Sequence, residues 1–148
     1  MAERVAIASD HAGIELRTAL GSVLEKLGFE ILDLGTAERG SVDYPDFADA
    51  VAGAIRNGEA TRGLLVCGTG IGISIAANRH FEVRAALCHD ALTARLARQH
   101  NDANVLCLGA RVIGPETAKD CVEIFFTTDF EGGRHAARVA KLSRKTCA

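Results

Sequence analysis

Short apolar runs alternate with amphipathic stretches along the whole chain. Residues 5–8 (Val-Ala-Ile-Ala) form the first apolar run. Residues 14–27 place Leu16, Leu20, Val23, Leu24 and Leu27 at helical spacing, and Gly28 follows as a stop. The pattern then predicts strands at 29–34, 64–67, 83–87 and 105–108. Helices are predicted at 45–56, 71–78, 91–99 and 115–126, with a last helix after Gly132-Gly133. Pro45 and Pro115 open two of these helices, and Asn57-Gly58 closes one.

Alternating strands and helices imply a parallel sheet covered on both faces, and right-handed crossovers make it doubly wound. The strand segments are continuously apolar, as a sheet buried on both sides requires. We expect an α/β fold: a three-layer αβα sandwich with a five-stranded, Rossmann-like parallel sheet in order 2-1-3-4-5. One domain over 1–148 suits the length, and no repeat or linker interrupts it. Such sheets bind ligands outside the carboxyl ends of their strands, where the winding reverses.

Composition narrows the function. A formal net charge of −2 and 24% charged residues give no footprint for nucleic acid or a membrane surface. There is no apolar run long enough to span a bilayer and no signal-peptide pattern, so a cytoplasmic setting is expected. Five cysteines, Cys67, Cys88, Cys107, Cys121 and Cys147, include no C-x-x-C pair. A disulfide framework or zinc cage is therefore not expected.

Chemistry-bearing residues follow the strands: Ser9-Asp10-His11, then Cys67 with Gly68-Thr69-Gly70-Ile71-Gly72, then Cys88-His89-Asp90, then Gly109-Ala110-Arg111. The glycine loop can present backbone N–H groups to an anion at a helix start, or can simply be a tight turn. Its G-x-G-x-G spacing departs from the dinucleotide fingerprint. Cys67 stands where a helix start favours thiolate, so it can act as base or nucleophile, or be an inert core thiol. The other four cysteines read as structural. Asp10 suits an N-cap as well as a ligand contact. His100 suits acid–base work near neutral pH, or a helix C-terminus. Arg134 and Arg138, at i and i+4, share a helix face that Lys141 and Lys145 extend. They form either an anion clamp or a solvated basic face.

Six motifs carry a resemblance: Ser-Asp-His-Ala-Gly at 9–13, Asp-Tyr-Pro at 43–45, Cys-Gly-Thr-Gly-Ile-Gly-Ile-Ser at 67–74, Arg-Gln-His-Asn-Asp at 98–102, Gly-Ala-Arg-Val at 109–112 and Glu-Gly-Gly-Arg-His at 131–135. Together they resemble the type B ribose-5-phosphate isomerases and the related galactose-6-phosphate isomerase subunits over nearly the whole chain. The resemblance implies an aldose–ketose isomerase acting on a small sugar phosphate, a step of the pentose phosphate pathway, without metal or cofactor. It implies Cys67 as the base between C2 and C1, and His100 with Thr69 as the ring-opening pair. Asp10, His11 and Asn101 would contact the sugar, and the N–H groups of Gly68, Thr69, Gly70, Ile71 and Gly72 would hold the enediolate. Arg111, Arg134 and Arg138 would hold the phosphate. One branch of the family uses a glutamate at the position held here by Ile73, so the cysteine branch is implied. The family site lies between two subunits, implying a homodimer with shared sites, or a tetramer of such pairs. Two other readings stand beside this one: a preference for a six-carbon 6-phosphate such as allose or galactose 6-phosphate, and a non-catalytic module sensing sugar phosphate or nucleotide. The place of Tyr44, beside Pro45, is open between substrate contact and packing.

Overall fold

The computed structural model describes residues 1–38 and 40–143; Lys145 and Cys147 lie outside the described residues. Five strands are present: β1 Arg4–Ser9, β2 Glu30–Asp33, β3 Arg62–Cys67, β4 Ala85–Leu87 and β5 Val105–Gly109. Six α-helices accompany them: α1 Ile14–Lys26, α2 Tyr44–Arg56, α3 Ile71–Ala77, α4 Ala91–Asn101, α5 Pro115–Thr127 and α6 Arg134–Leu142. One 3₁₀ turn, His11–Gly13, leads into α1, and Asp10 caps that turn rather than the α-helix by accepting from the Ala12 N–H at 2.9 Å.

All strand pairs are parallel, and the order is β2-β1-β3-β5-β4. This corrects the expected 2-1-3-4-5, while the α/β sandwich itself holds. The reason lies in burial. The five residues of β5 are all buried, whereas those of β4 are only partly buried. The inner position takes a strand that is apolar on both faces, and the short Ala-Ala-Leu strand suits the edge. The expected strand at 83–87 also starts late, because the Val83 N–H bonds back to His80 in a turn.

The order decides how the helices divide. The steps β1 to β2 and β4 to β5 run one way across the sheet; β2 to β3 and β3 to β4 run the other. Right-handed crossovers therefore put α1 and α4 on one face and α2 and α3 on the opposite face. The packing agrees. Leu20 and Leu24 of α1, Ala94 and Ala97 of α4, and Phe125 of α5 bury against Ile7, Val66 and Leu106. Val51 and Ala52 of α2 and Ile73 of α3 bury against Ala8, Leu65 and Cys107. With the expected order, α4 would have joined α2 and α3.

A further consequence concerns β3. Its chain leaves towards one face, while the chains leaving its neighbours β1 and β5 turn to the other. The carboxyl end of β3 is thus flanked by a crevice on each side, where such sheets bind ligands.

Candidate active site

Cys67 ends β3 and is 4% exposed. In the ladder, Ser9 pairs with Val66 and Cys67 pairs with Gly109, so the ends of β1, β3 and β5 stand side by side. Adjacent strands lie about 4.8 Å apart, which brings Asp10, Cys67 and the start of the 110–111 turn within two strand spacings. Backbone bonds fix this row: Asp10 N–H donates to Val66 O at 3.2 Å, Ala110 N–H to Cys67 O at 2.9 Å, and Arg111 N–H to Gly68 O at 2.9 Å. The Arg111 side chain lies across Gly68.

The loop after Cys67 curls its amides inward. Gly70 N–H donates to Cys67 Sγ at 3.1 Å, and Ile71 N–H donates to Thr69 Oγ1 at 3.2 Å. Gly70 has φ of 76°, and a Cβ there would stand 2.6 Å from Leu87 Cδ1 and 2.8 Å from the Leu108 carbonyl carbon. Only glycine satisfies that turn and that close approach. A Cβ on Gly72 would stand 2.5 Å from the Tyr44 ring, so Tyr44, 40% exposed at the start of α2, packs over this loop. Ile73 is fully buried beneath it and has no titratable group.

His11 is oriented by a partner far along the chain. Val42 N–H donates to His11 Nδ1 at 3.2 Å, which leaves Nε2 to carry the proton of the neutral ring. Arg17, 5% exposed, donates from Nη1 to Ser9 Oγ at 2.6 Å and from Nη2 to Thr36 O at 2.9 Å. It ties the loop after β2 beneath Asp10 and His11. Neither Val42 nor Arg17 stood out in the sequence: a main-chain donor leaves no signature, and Arg17 sits within an ordinary amphipathic helix.

His100, Asn101, Arg134 and Arg138 lie elsewhere. Helix α4 starts from its cap Asp90 beside the carboxyl end of β4 and runs back to the amino edge of the sheet. His100 is ten residues along it, about 15 Å away at 1.5 Å per residue. Asn101 ends the helix, and the chain re-enters the sheet at Val105. Here His100, Asn101, His135, Arg138, Val139 and Leu142 line a groove of about 360 Å³. Arg134 and Arg138 are exposed in the first two turns of α6, and neither makes an ion pair among the described residues. The expected site residues therefore form two groups at opposite edges of one chain: Asp10, His11, residues 67–72 and Arg111 at one, and His100, Asn101 and the α6 arginines at the other.

After β4, Asp90 caps α4 and Cys88 is buried. Asp90 accepts from Thr93 N–H at 2.7 Å, and that bond holds its carboxyl below the usual carboxylate range. Burial pushes the Cys88 thiol up to about 11 and the Cys121 thiol up to about 12, and also raises Cys107.

Residues 5–142 match the family model described as Ribose/Galactose Isomerase. The chain is 43% identical over 141 residues to the ribose-5-phosphate isomerase B of Escherichia coli, covering 95% of each chain. It is 43% identical over 139 residues to a D-erythrulose-4-phosphate isomerase of Pectobacterium atrosepticum, covering 93% of this chain and 91% of that one. Among solved structures, the ribose-5-phosphate isomerase B of Clostridium thermocellum superposes with a TM-score of 0.92 at 48% identity, over 95% of both chains.

Proposed function

The chain belongs to the ribose/galactose isomerase family, and from that premise we propose that it interconverts D-ribose 5-phosphate and D-ribulose 5-phosphate through a cis-enediolate. The observation that carries the reading is Cys67: a thiol at the end of the central strand, between two crevices, with the Gly70 N–H on its sulfur. In this scheme His100 gives a proton to the ring oxygen while the C1 hydroxyl proton leaves, which opens the furanose. Cys67 then removes the C2 proton and the electrons move onto the carbonyl oxygen; a proton passes from O2 to O1 across the enediolate, and the proton on sulfur returns at C1 as the C2 carbonyl forms. Amides of the 68–72 loop face the charge that develops on oxygen; one such donor is worth about 3 kcal/mol to the transition state. Asp10, His11 and Asn101 hold sugar hydroxyls.

Arg111, Arg134 and Arg138 are the phosphate ligands in this scheme. Two cations in the first turns of α6 oppose the helix dipole unless an anion offsets them.

We place each site between two copies of this chain. The separation of His100 from Cys67 by the length of α4 supports that arrangement, because a partner's amino-edge group can face the crevice that Cys67 lines. A homodimer is the smallest closed assembly that completes both sites, and two such pairs would make a tetramer. Among the described residues, no helix is long and apolar enough to cross a membrane. The buried free thiols favour a reducing, cytoplasmic setting.

The test is turnover of ribose 5-phosphate beside allose, galactose and erythrulose phosphates, in chelator-treated buffer. The highest kcat/KM on ribose 5-phosphate, unaffected by chelator, is expected. A preference for the six-carbon sugars would move the assignment to that alternative. The erythrulose phosphate belongs in the panel because one relative bears that name. Binding of sugar phosphate or nucleotide with no turnover of any sugar would instead return the sensing module.

A further inference from the structure

Glu131 and His135 have no role in the scheme above, yet both touch His100. The imidazoles of His100 and His135 stack with centroids 4.3 Å apart and planes inclined by 13°. Glu131 Oε2 lies 4.0 Å from His100 Nε2 and 3.8 Å from His135 Nε2. The loop is fixed to the helix that carries His100, since Glu131 N–H donates to Gln99 O at 3.1 Å. His135 is 9% exposed at its side chain, while His100 is 36% exposed, so of the two rings lining the groove His100 is the more accessible.

Two imidazoles and a carboxylate within 4.8 Å of one another could suggest a metal site. The stack argues otherwise. An imidazole binds a metal along a lone pair in its own ring plane, and two nearly parallel planes about 4 Å apart do not converge on one ion. The arrangement fits one carboxylate shared between two rings.

We propose that Glu131 and His135 are positioning residues for His100: the stack fixes its ring plane, and the carboxylate stabilises it when it holds a proton during ring opening. This rests on the isomerase reading and on His100 as the ring-opening group. Charged groups surround the stack. Glu131 is the carboxylate facing it, and Arg134 and Arg138 are the nearby cations of α6. Desolvation, then His100 and Arg134, push His135 below its ordinary value, with Glu131 opposing.

The experiment compares Glu131→Gln and His135→Asn with the unsubstituted protein on ribose 5-phosphate carrying protium or deuterium at C2. Glu131 is exposed, so its substitution does not threaten the fold. Both variants should lose turnover on the order of tenfold, part of the roughly 10²–10⁴-fold that a positioned acid–base group supplies. Ring opening involves no C–H cleavage. As it becomes limiting, the deuterium effect on kcat/KM should fall to unity, or stay there if it already is. Unchanged turnover, or reduced turnover with a deuterium effect that persists above unity or grows, would overturn the proposal. If the unsubstituted protein fails to turn over ribose 5-phosphate, the isomerase reading falls, and this inference with it. If the unsubstituted protein is active but the variants keep full turnover or a deuterium effect above unity, only the positioning role falls.

Discussion

Gly70 and Cys67 show how closely backbone and chemistry are coupled at one point. The Gly70 amide reaches the sulfur because the residue is left-handed and nothing projects from its α-carbon towards Leu108. Gly70→Ala must adopt a conformation that costs about 1–2 kcal/mol for an L-residue, and it must also displace Leu87 or the backbone behind it. Chemical denaturation should register at least that loss, and turnover should fall with it. Cys67→Ala removes a small buried atom and should leave the unfolding midpoint nearly unchanged. Turnover should fall by roughly 10²–10⁴-fold, the contribution of a positioned base. Full activity from a folded Cys67→Ala protein would exclude the thiol as the base. The importance of Cys67 is legible in the sequence, because a strand, a cysteine, three glycines and a helix follow one another. The stack of His135 on His100 is not. The two are thirty-five positions apart, and only the packing of α6 against α4 joins them.

Among the elements, boundaries follow the apolar pattern to within a few residues, since strands, helices and their glycine stops are local events. Strand order is not local. The run at 83–87 carries Arg84 among its apolar residues; only Ala85–Leu87 joins the sheet, and its partial burial suits the edge. Helix α4 matters to the site for a related reason. Sequence proximity to β4 suggests that His100 sits with Cys67, yet a helix returning along the sheet necessarily ends at the far edge. The amino ends of β1 and β3 are joined by Arg62, which donates to both Glu3 oxygens at 2.7 and 2.8 Å and lies over the Phe29 and Phe126 rings. The Arg62 hydrogen bond holds the Glu3 carboxyl below its ordinary value, against desolvation. The folded state therefore favours the ionised form. That stabilisation is complete above the unfolded value near 4.5 and is lost as pH falls through the lower folded value. Glu3→Gln should melt below the unsubstituted protein at pH 7, and the gap should close in acid. An equal gap at pH 3 would contradict this account.

For the whole molecule, the division of the site makes a prediction that no single chain can meet. Cys67→Ala and His100→Ala proteins, each nearly inactive alone, should regain activity when mixed and allowed to exchange subunits. A mixed dimer holds one site with both substitutions and one with neither. Random exchange should therefore restore about a quarter of full turnover, since half the dimers are mixed and each keeps one native site. No recovery despite demonstrated exchange would place the complete site within one chain.

The order β2-β1-β3-β5-β4 makes β3 the middle strand of the sheet, two strands from either edge. Amide protons in such a strand exchange with solvent chiefly through global opening, whereas those near chain ends and sheet edges exchange through local fraying. Deuterium uptake should therefore be slowest at residues 64–66 and faster in α6 and β4. On heating, the half of the machinery carrying Cys67 would persist until the fold itself gives way. The half carrying His100, supported by α6 beside the edge strand, would loosen first. Thermal inactivation below the unfolding midpoint would then begin as a loss of ring opening, with proton exchange between C1 and C2 of the open sugar outlasting it.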